Sequence, residues 1–324
     1  MNLLEIRDLK VQFDTARGVL PAVSGVSLSA RKGEIVGVVG ESGCGKTVTA
    51  LSVLGLVPDN GSASGEIAFE GRDLLKLSAD EMRAVRGDRV SMIFQEPMTA
   101  LNPVLTIGFQ LCEPLILHRG VSREEARRRA LEVLNLVQVP NAEGRMACYP
   151  HQLSGGLCQR AMIAMALICE PDLLIADEPT TALDVTIQAQ ILSLIGDLRS
   201  RLGTAILMIT HDLGVIAELC DRVYVMYAGY VMEEADVFAL FDAPLHPYTF
   251  GLMRSMPGAA TKRGAEGLYS IPGIVPDLLN LPRGCPFASR CNQGMDICRR
   301  RLPELIPIAD GHFVRCWLHA QDIA

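Results

Sequence analysis

The sequence lacks long apolar runs and a recognisable secretion signal. Its first ten residues, MNLLEIRDLK, have neither the basic start nor the apolar core that marks a secretory signal. The longest apolar candidate, AMIAMALIC, ends at Glu170 and falls well short of the roughly 18 residues that a membrane-spanning helix needs. We therefore expect a soluble cytosolic chain, in which thiols stay reduced. Its ten cysteines should then be metal ligands, small core residues, or both.

Basic charge is also scarce. The chain has 30 Lys and Arg against 37 Asp and Glu, a formal net charge of -7. This balance argues against a nucleic-acid partner, which favours a basic surface. The sequence shows no internal repeat and no low-complexity segment. With 324 residues, of which 49% are apolar, the chain can bury a large core, and its length suggests two domains.

Apolar runs of strand length alternate with amphipathic helical stretches, a pattern typical of a parallel sheet covered by helices. The predicted strands are EIVGVV, RVSMIF, DLLIAD, TAILMIT and RVYVMY. The early segments LEIRDLKVQF and GVSLSA indicate antiparallel edge strands instead. Between RVSMIF and DLLIAD we predict an inserted helical subdomain at about 96–160, in which Ser122 and Glu125 have capping-box spacing.

The composition changes near residue 242. Proline and glycine interrupt any periodicity in stretches such as MPGAA and IPGIVPDLLNLPRG. We therefore predict a first domain at 1–241 and a loop-rich C-terminal region at 242–324.

The motif GESGCGKT follows a predicted buried strand and precedes a helix. Its glycines let the loop turn backbone N–H groups towards a phosphate, together with the helix N-terminus. Lys46 should reach the β and γ phosphates, and the Thr47 hydroxyl should bind magnesium. The predicted nucleotide contacts are Gly40, Glu41, Ser42, Gly43, Cys44, Gly45, Lys46, Thr47 and Val48.

Two consecutive carboxylates end the apolar strand in DLLIADEP. A P-loop ATPase needs one carboxylate near magnesium, here Asp177, and another to position or deprotonate the attacking water, here Glu178. In isolation the pair could equally be a polar strand end. His211 follows the strand TAILMIT, from which it could reach the γ phosphate. A purely structural histidine is the alternative.

The motif LSGGLCQR places Ser154, Gly155 and Gly156 at a helix start, where a hydroxyl and bare backbone amides can meet an anion. Together the motifs resemble those of the ATPase subunits of ATP-binding cassette (ABC) transporters. GESGCGKT resembles the family's Walker A motif, LLIADE its Walker B motif, LSGG its signature, ALD (ending at Asp184) its D-loop, His211 its switch histidine and Gln95 its Q-loop glutamine.

This resemblance implies a P-loop NTPase cassette: an α/β fold with a RecA-like parallel sheet core, an antiparallel β subdomain and an inserted helical subdomain. It also implies that two ATPase domains face head to tail. Ser154, Gly155, Gly156 and Gln159 would then contact ATP held by the partner. Leu157 departs from the usual Gln or Met at the fifth signature position, which lies outside the phosphate contact.

The resemblance also assigns roles at the nucleotide. Lys46, Glu178 and His211 would be catalytic, and Gln95 would join Thr47 as a magnesium ligand. Phe13 lies where the family's adenine-stacking aromatic residue is usually found, with core packing as the alternative.

Three segments, PLHPYT, FQEPMTALNP and DEPTTALDVTIQAQI, resemble the oligopeptide and dipeptide import branch of the family. This implies a peripheral ATPase on the cytoplasmic face of the inner membrane. Its partners would be a second ATPase, expected to be a paralogue in a heterodimer, two transmembrane permeases and an extracytoplasmic solute-binding protein. Nickel or metal chelates and glutathione stay open as cargo, because the ATPase does not touch cargo.

A cassette ATPase acting on nucleic acid or ribosomes is the alternative from another class. The first kind would need a long coiled-coil insertion between its Walker motifs, and the sequence has none. The second kind normally carries two cassettes in one chain, whereas this chain has one.

Four of the ten cysteines lie close together in the C-terminal region, at Cys285, Cys291, Cys298 and Cys316. Four thiolates suit either tetrahedral zinc or an iron-sulfur cluster. Zinc sites usually show pairs separated by two to four residues, whereas the spacings of five and six found here favour a larger cluster. Similar cysteines occur in members of the import branch that carry a 4Fe-4S cluster, so we predict that cluster. Zinc and unligated thiols remain alternatives.

Overall fold

The computed structural model describes residues 2–180, 185–256 and 269–320. The chain divides into two compact units. The first comprises residues 1–3, 30–35 and 76–208, and the second comprises residues 4–29, 36–75 and 209–324. Within the described ranges, no helix combines the length and the apolar character needed to cross a membrane.

The strands and helices alternate along most of the chain. The strands are β1 (Asn2–Thr15), β2 (Gly18–Arg31), β3 (Ile35–Val39), β4 (Gly61–Phe69), β5 (Arg72–Asp73), β6 (Val90–Ile93), β7 (Leu173–Asp177), β8 (Ala205–Thr210), β9 (Arg222–Tyr227), β10 (Tyr230–Asp236), β11 (Ile306–Ala309) and β12 (His312–Val314). The helices are α1 (Lys46–Val53), α2 (Ala79–Val85), α3 (Pro97–Ala100), α4 (Ile107–Arg119), α5 (Arg123–Leu136), α6 (Ala142–Arg145), α7 (Gly155–Leu167), α8 (Val185–Leu202), α9 (Leu213–Leu219), α10 (Val237–Asp242), α11 (Pro247–Arg254) and α12 (Asp296–Arg300).

The five predicted apolar strands are confirmed as β3, β6, β7, β8 and β9. Every residue of β3, β6 and β7 is buried, as expected for strands covered on both faces. In the first unit β6 pairs with β7 in parallel, and in the second unit β3 pairs with β9 in parallel. The predicted α/β class with a parallel core is therefore confirmed.

The second unit also holds the predicted antiparallel sheet, whose strand order is β2-β1-β4-β5. β1 runs antiparallel to β4, and Phe13 lies opposite Gly61. The antiparallel edge strands predicted from the early sequence are confirmed.

In the first unit, the segment predicted as an inserted helical subdomain contains α3, α4, α5, α6 and the start of α7, which continues to Leu167. Only one of the two hydrogen bonds of a capping box forms at the start of α5. Ser122 Oγ accepts a hydrogen bond from the Glu125 N–H at 3.2 Å. The Glu125 carboxylate instead binds Arg128 and Arg129, which lower its pKa to about 2.

The C-terminal region is less irregular than its composition predicts. In the second unit β12 pairs antiparallel with β10, where Glu233 lies opposite Val314, and β11 pairs with β12. The strand order is thus β11-β12-β10-β9-β3. The two added strands are short, and β11 contains Pro307, so their alternation was too weak to detect in the sequence.

Glu233 fixes this extension of the sheet. Its side chain is 0% exposed. Its carboxylate accepts hydrogen bonds from the Leu245 N–H at 2.7 Å, the His246 N–H at 2.9 Å and His312 Nε2 at 2.8 Å. Burial raises the pKa of Glu233, but the hydrogen bonds outweigh burial and lower it overall. One carboxylate therefore joins β10 to β12 and to the start of α11.

We expect Glu233→Gln to lower the free energy of unfolding by about 1–3 kcal/mol, because the amide nitrogen cannot accept a hydrogen bond and at least one of the three buried donors would lose its acceptor. Unfolding in urea can be followed by the fluorescence of Trp317, the only tryptophan of the chain. Since the pKa of Glu233 is lowered on folding, its contribution should be present above the unfolded pKa of about 4.3 and lost as the pH falls through the folded value. Glu218→Gln, on an exposed position of α9, is the matched control. Equal midpoints for the two variants would contradict this role.

Candidate active site

The P-loop, Gly40 to Thr47, joins β3 to α1 in the second unit. A Cβ atom at position 40 would lie 2.1 Å from the Met226 carbonyl oxygen. At Gly45 the backbone has φ +101°, and a Cβ would lie 2.6 Å from the Ala22 carbonyl oxygen. Both positions therefore require glycine, and the loop can turn tightly into the helix.

Lys46 is buried within this loop. Its ammonium Nζ donates to the Gly40 carbonyl at 2.7 Å and to the Glu41 carbonyl at 3.1 Å. Thr47 is exposed in the first turn of α1. A lysine cation and a helix N-terminus are thus placed on one loop, the arrangement that binds phosphate. Cys44 is buried, and burial raises the pKa of its thiol.

A cleft of about 580 Å³ opens beside the P-loop. It is lined by residues 15–17 at the end of β1 and after it, by Leu20 on β2, by Ser42 and Gly43, and by residues 275–279. Arg17 and Asp277 form an ion pair of 2.5 Å in its wall. Sequence reasoning missed this contribution of the C-terminal region, because nothing local in the sequence relates positions so far apart.

Phe13 lies on β1 with its ring directed at Gly61, where a Cβ would lie only 2.6 Å from Phe13 Cε1. The side chain is half-buried. This packing accounts for the glycine opposite Phe13 and leaves part of the ring accessible. His211, also in the second unit, is exposed directly after β8.

Glu41 is held by the C-terminal region. Its N–H donates to the Tyr248 hydroxyl at 2.8 Å. Its carboxylate accepts from both terminal nitrogens of Arg290, at 2.6 and 3.0 Å, and this pairing raises the pKa of Arg290. These partners of the P-loop were not anticipated from the sequence.

The carboxylates of DLLIADEP lie in the first unit. Asp177 is buried at the end of β7. Glu178 follows with φ +46°, a left-handed conformation that is rare for residues other than glycine and is found disproportionately at functional sites. Glu178 Oε2 accepts a hydrogen bond from Gln95 Nε2 at 3.0 Å. The structure thus brings Gln95 and Glu178 together just beyond the parallel strands β6 and β7.

The signature residues begin α7. Ser154 is the N-cap, and its Oγ accepts from the Leu157 N–H at 3.4 Å. Nothing lies within 4 Å of a Cβ built on Gly155 or Gly156, so this surface is open. Gln159 differs from the prediction. It is 1% exposed, and its Nε2 donates to the Pro179 carbonyl at 2.7 Å, so it supports the loop after Glu178 instead of facing outward. Asp184 lies outside the described residues.

The four C-terminal cysteines line one pocket, together with His246, Phe287 and Trp317. Burial raises the pKa of Cys285 to about 12 and that of Cys316 to about 11. Cys291 is half-buried and Cys298 is buried. Across residues 2–180, 185–256 and 269–320, no three His, Cys, Asp or Glu side chains form a group that could hold a metal ion.

The other cysteines are dispersed. Cys158, Cys169 and Cys220 are buried, and Cys112 and Cys148 are partly buried. These five are therefore the small core residues expected among the ten cysteines, with Cys112 and Cys148 less completely buried than the others.

Comparison with known proteins places these features in a family. The profile of the family described as ABC transporter matches residues 23–181. A second profile, described as the oligopeptide/dipeptide transporter C-terminal region, matches residues 232–298.

Several curated proteins are similar along nearly the whole chain. The probable peptide ABC transporter ATP-binding protein y4tR of Sinorhizobium fredii is 54% identical, over 97% of this chain and 94% of that protein. The dipeptide transport ATP-binding protein DppD of Bacillus subtilis is 51% identical, over 99% of this chain and 96% of that protein. The oligopeptide transport ATP-binding protein OppD of Salmonella typhimurium is 48% identical, over 99% and 95%.

Solved structures agree with this placement. The dimeric structure of MJ0796, described as a bacterial ABC transporter cassette, has a TM-score of 0.66 and 30% sequence identity, and covers 72% of this chain and 98% of that chain. A dimeric post-hydrolysis state of the same cassette, bound to ADP and Pi, gives the same values.

Proposed function

Because this chain belongs to the ABC transporter family of ATPases, we propose that it is the ATP-hydrolysing subunit of an importer of oligopeptides or dipeptides. The observation that carries this proposal is the similarity to peptide-transport ATP-binding proteins over 97–99% of the chain, C-terminal region included. These relatives favour peptides over metal chelates or glutathione as cargo. They equally favour a transporter over a nucleic-acid or ribosome-associated ATPase.

In the proposed site the P-loop amides and Lys46 bind the phosphates of ATP. Thr47 and Gln95 are the proposed ligands of magnesium, which would neutralise phosphate charge, and Asp177 is proposed as the carboxylate near this ion. Glu178 would orient or deprotonate the attacking water, and its hydrogen bond from Gln95 supports a fixed carboxylate position. His211 is proposed to contact the γ phosphate, and Phe13 to stack on the adenine with the accessible part of its ring.

The open surface at Ser154, Gly155 and Gly156 supports a head-to-tail dimer in which this surface contacts ATP on the second cassette. A similar cassette, MJ0796, has been solved as a dimer. Gln159, being buried, would act within its own subunit. We propose a paralogue as the second ATPase, two permeases in the membrane and a solute-binding protein on the far side, with this subunit peripheral at the cytoplasmic face.

Glu178→Gln should retain ATP binding and lower hydrolysis by roughly 100- to 10,000-fold, the range expected when a general base is removed. The glutamine keeps the shape of the side chain and a partner for Gln95, so loss of folding would not explain the defect. Hydrolysis is measured by phosphate release, and binding by a fluorescent ATP analogue. Glu96→Gln, an exposed neighbour of Gln95, is the control. Near-normal turnover in Glu178→Gln would overturn the assignment.

A groove of about 670 Å³ in the first unit is the proposed docking surface for a permease. It lies among α4, α5 and α6, with Phe109 and Leu117 on its apolar wall and Arg127 among its charged residues. Phe109 is 51% exposed and Leu117 is 73% exposed, which is unusual for large apolar side chains that have no partner. Both α4 and α5 pack against α7, whose N-terminus carries the signature. A permease segment in the groove would therefore contact α4 and α5, which pack against the helix that begins with the signature residues.

We expect Leu117→Glu to abolish co-purification of the permeases with the tagged chain from detergent-solubilised native membranes, because it buries a charge in the proposed interface. Leu136→Glu, at an exposed leucine outside the groove, should leave the permeases bound. Recovery of the permeases with both variants would reject the groove. Recovery of nucleic acid or ribosomes instead of permeases, with the unaltered chain, would reject the importer itself.

The four-cysteine pocket is proposed to hold a 4Fe-4S cluster. His246 supports this fit. Its Nδ1 accepts the Tyr248 N–H at 3.0 Å, so the neutral ring carries its proton on Nε2, and that buried atom has no hydrogen-bond partner. A cluster sulfide is a suitable acceptor for it. A single zinc ion would require all four sulfurs at about 2.3 Å from one point. No group able to hold a metal ion is found among the described residues, so the proposal rests on the pocket that the four thiols share and on His246.

Anaerobically purified protein should be brown and contain about four irons per chain. Trp317 lines the same pocket, so its fluorescence should be quenched with the cluster present and recover when the cluster is removed by chelation. Cys291→Ser should lose the colour and the iron, whereas Cys148→Ser, a partly exposed thiol elsewhere, should keep both. A colourless anaerobic preparation with one tightly bound zinc would establish the zinc alternative instead.

A further inference from the structure

Arg290 uses all its hydrogen-bond donors, and its side chain is only 4% exposed. Besides the two bonds to the Glu41 carboxylate, Nε donates to the Pro272 carbonyl at 3.0 Å and Nη2 to the Ile271 carbonyl at 3.2 Å. Nη1 also donates to the Tyr227 hydroxyl at 3.2 Å. A planar guanidinium whose N–H groups all donate hydrogen bonds is fixed in position. It therefore also fixes the Glu41 carboxylate that is paired with it.

The fixed carboxylate belongs to the loop that must bind a polyanion. The Glu41 carbonyl accepts from Lys46, whose charge is meant for phosphate. A free carboxylate at this position would repel the nucleotide phosphates, whereas a carboxylate paired with an arginine would not. Arg290 holds the Glu41 side chain against the C-terminal region and neutralises its charge. The electrostatic potential at the P-loop therefore stays favourable for an anion.

Arg290 also borders the four-cysteine pocket through the backbone. The Ala288 N–H donates to the Cys285 carbonyl at 3.0 Å, and the Arg290 N–H donates to the Phe287 carbonyl at 3.0 Å. Residues 285–291 are therefore consecutive turns with pocket-lining thiols at both ends. A change in the spacing of Cys285 and Cys291 must alter these turns and displace Arg290.

Aromatic packing strengthens the same connection. The Phe287 ring, which lines the pocket, lies 5.3 Å from the Tyr227 ring and 5.3 Å from the Tyr248 ring. Tyr227 binds Arg290, and Tyr248 accepts the Glu41 N–H. The Tyr227 hydroxyl, which binds Arg290, and the Tyr248 hydroxyl, which binds Glu41, therefore both belong to rings that pack against Phe287 of the four-cysteine pocket.

We propose that Arg290 is a positioning residue for the P-loop, which neutralises the Glu41 carboxylate and makes nucleotide affinity depend on the integrity of the four-cysteine pocket. The inference rests on the proposed function for ATP as the ligand. It applies whatever group the thiols hold, because the connection runs through the turns and rings of the chain itself.

The first test measures the dissociation constant of fluorescent ADP and ATP analogues by titration, without hydrolysis. Arg290→Gln should weaken binding by about 5- to 150-fold, the usual range for coupled sites, with the larger loss for ATP because it carries more negative charge. The loss should shrink at high salt, since ions screen the exposed carboxylate. Arg283→Gln, an exposed arginine of the same region, should bind as the unaltered chain does. Unchanged affinity in Arg290→Gln would overturn the proposal.

The second test separates electrostatic positioning from general support of the fold. Adding Glu41→Gln to Arg290→Gln removes the unpaired anion, so affinity should rise above that of Arg290→Gln alone. If Arg290 served only the fold, the double variant would bind as weakly as the single variant or more weakly. Should Arg290→Gln fail to fold, Arg290→Lys keeps a positive charge beside the Glu41 carboxylate, so it should bind ATP nearly as the unaltered chain does; a large loss of affinity in Arg290→Lys would overturn the electrostatic role.

The third test concerns the cysteine pocket. Cys291→Ser should weaken nucleotide binding in the unaltered background and have no further effect in the Glu41→Gln/Arg290→Gln background. Normal affinity in Cys291→Ser would refute the connection between the pocket and the loop. An unaltered chain that binds no nucleotide would refute the proposed function instead, so the two failures are distinguishable.

Discussion

The P-loop can close around the Lys46 ammonium only because positions 40 and 45 carry no side chain. Each missing Cβ makes room for a neighbouring backbone carbonyl, from Met226 and Ala22 respectively. The direction of α1 and the placement of Thr47 follow from that closure. The same closure fixes the backbone of Glu41. Tyr248 and Arg290 of the C-terminal region therefore bind this residue in one fixed position.

Much of this architecture was predictable because its determinants are local. The five apolar strands and the glycine-rich motif each carry a pattern within a few residues, and each was found where it was expected. The capping-box spacing at Ser122 shows the limit of such patterns, since nearby arginines compete for the Glu125 carboxylate. Short strands such as β11 and β12 contain too few residues for an alternation to stand out.

Contacts between distant positions were not predictable for a different reason. The bond between Arg290 and Glu41 joins two ordinary charged residues, and neither has a neighbour pattern that distinguishes it from a solvated surface charge. Likewise, Gln159 belongs to a motif associated with nucleotide contact, yet its amide is used internally at the Pro179 carbonyl. Burial decides these roles, and burial depends on the folded chain.

The exposed groove around Phe109 and Leu117 has a consequence for the biology of the isolated subunit. Apolar surface of this kind promotes self-association and attracts chaperones until another protein covers it. A cell that made this subunit in excess of its membrane partners would therefore accumulate an aggregation-prone species. Balanced synthesis of the subunits would keep this groove covered.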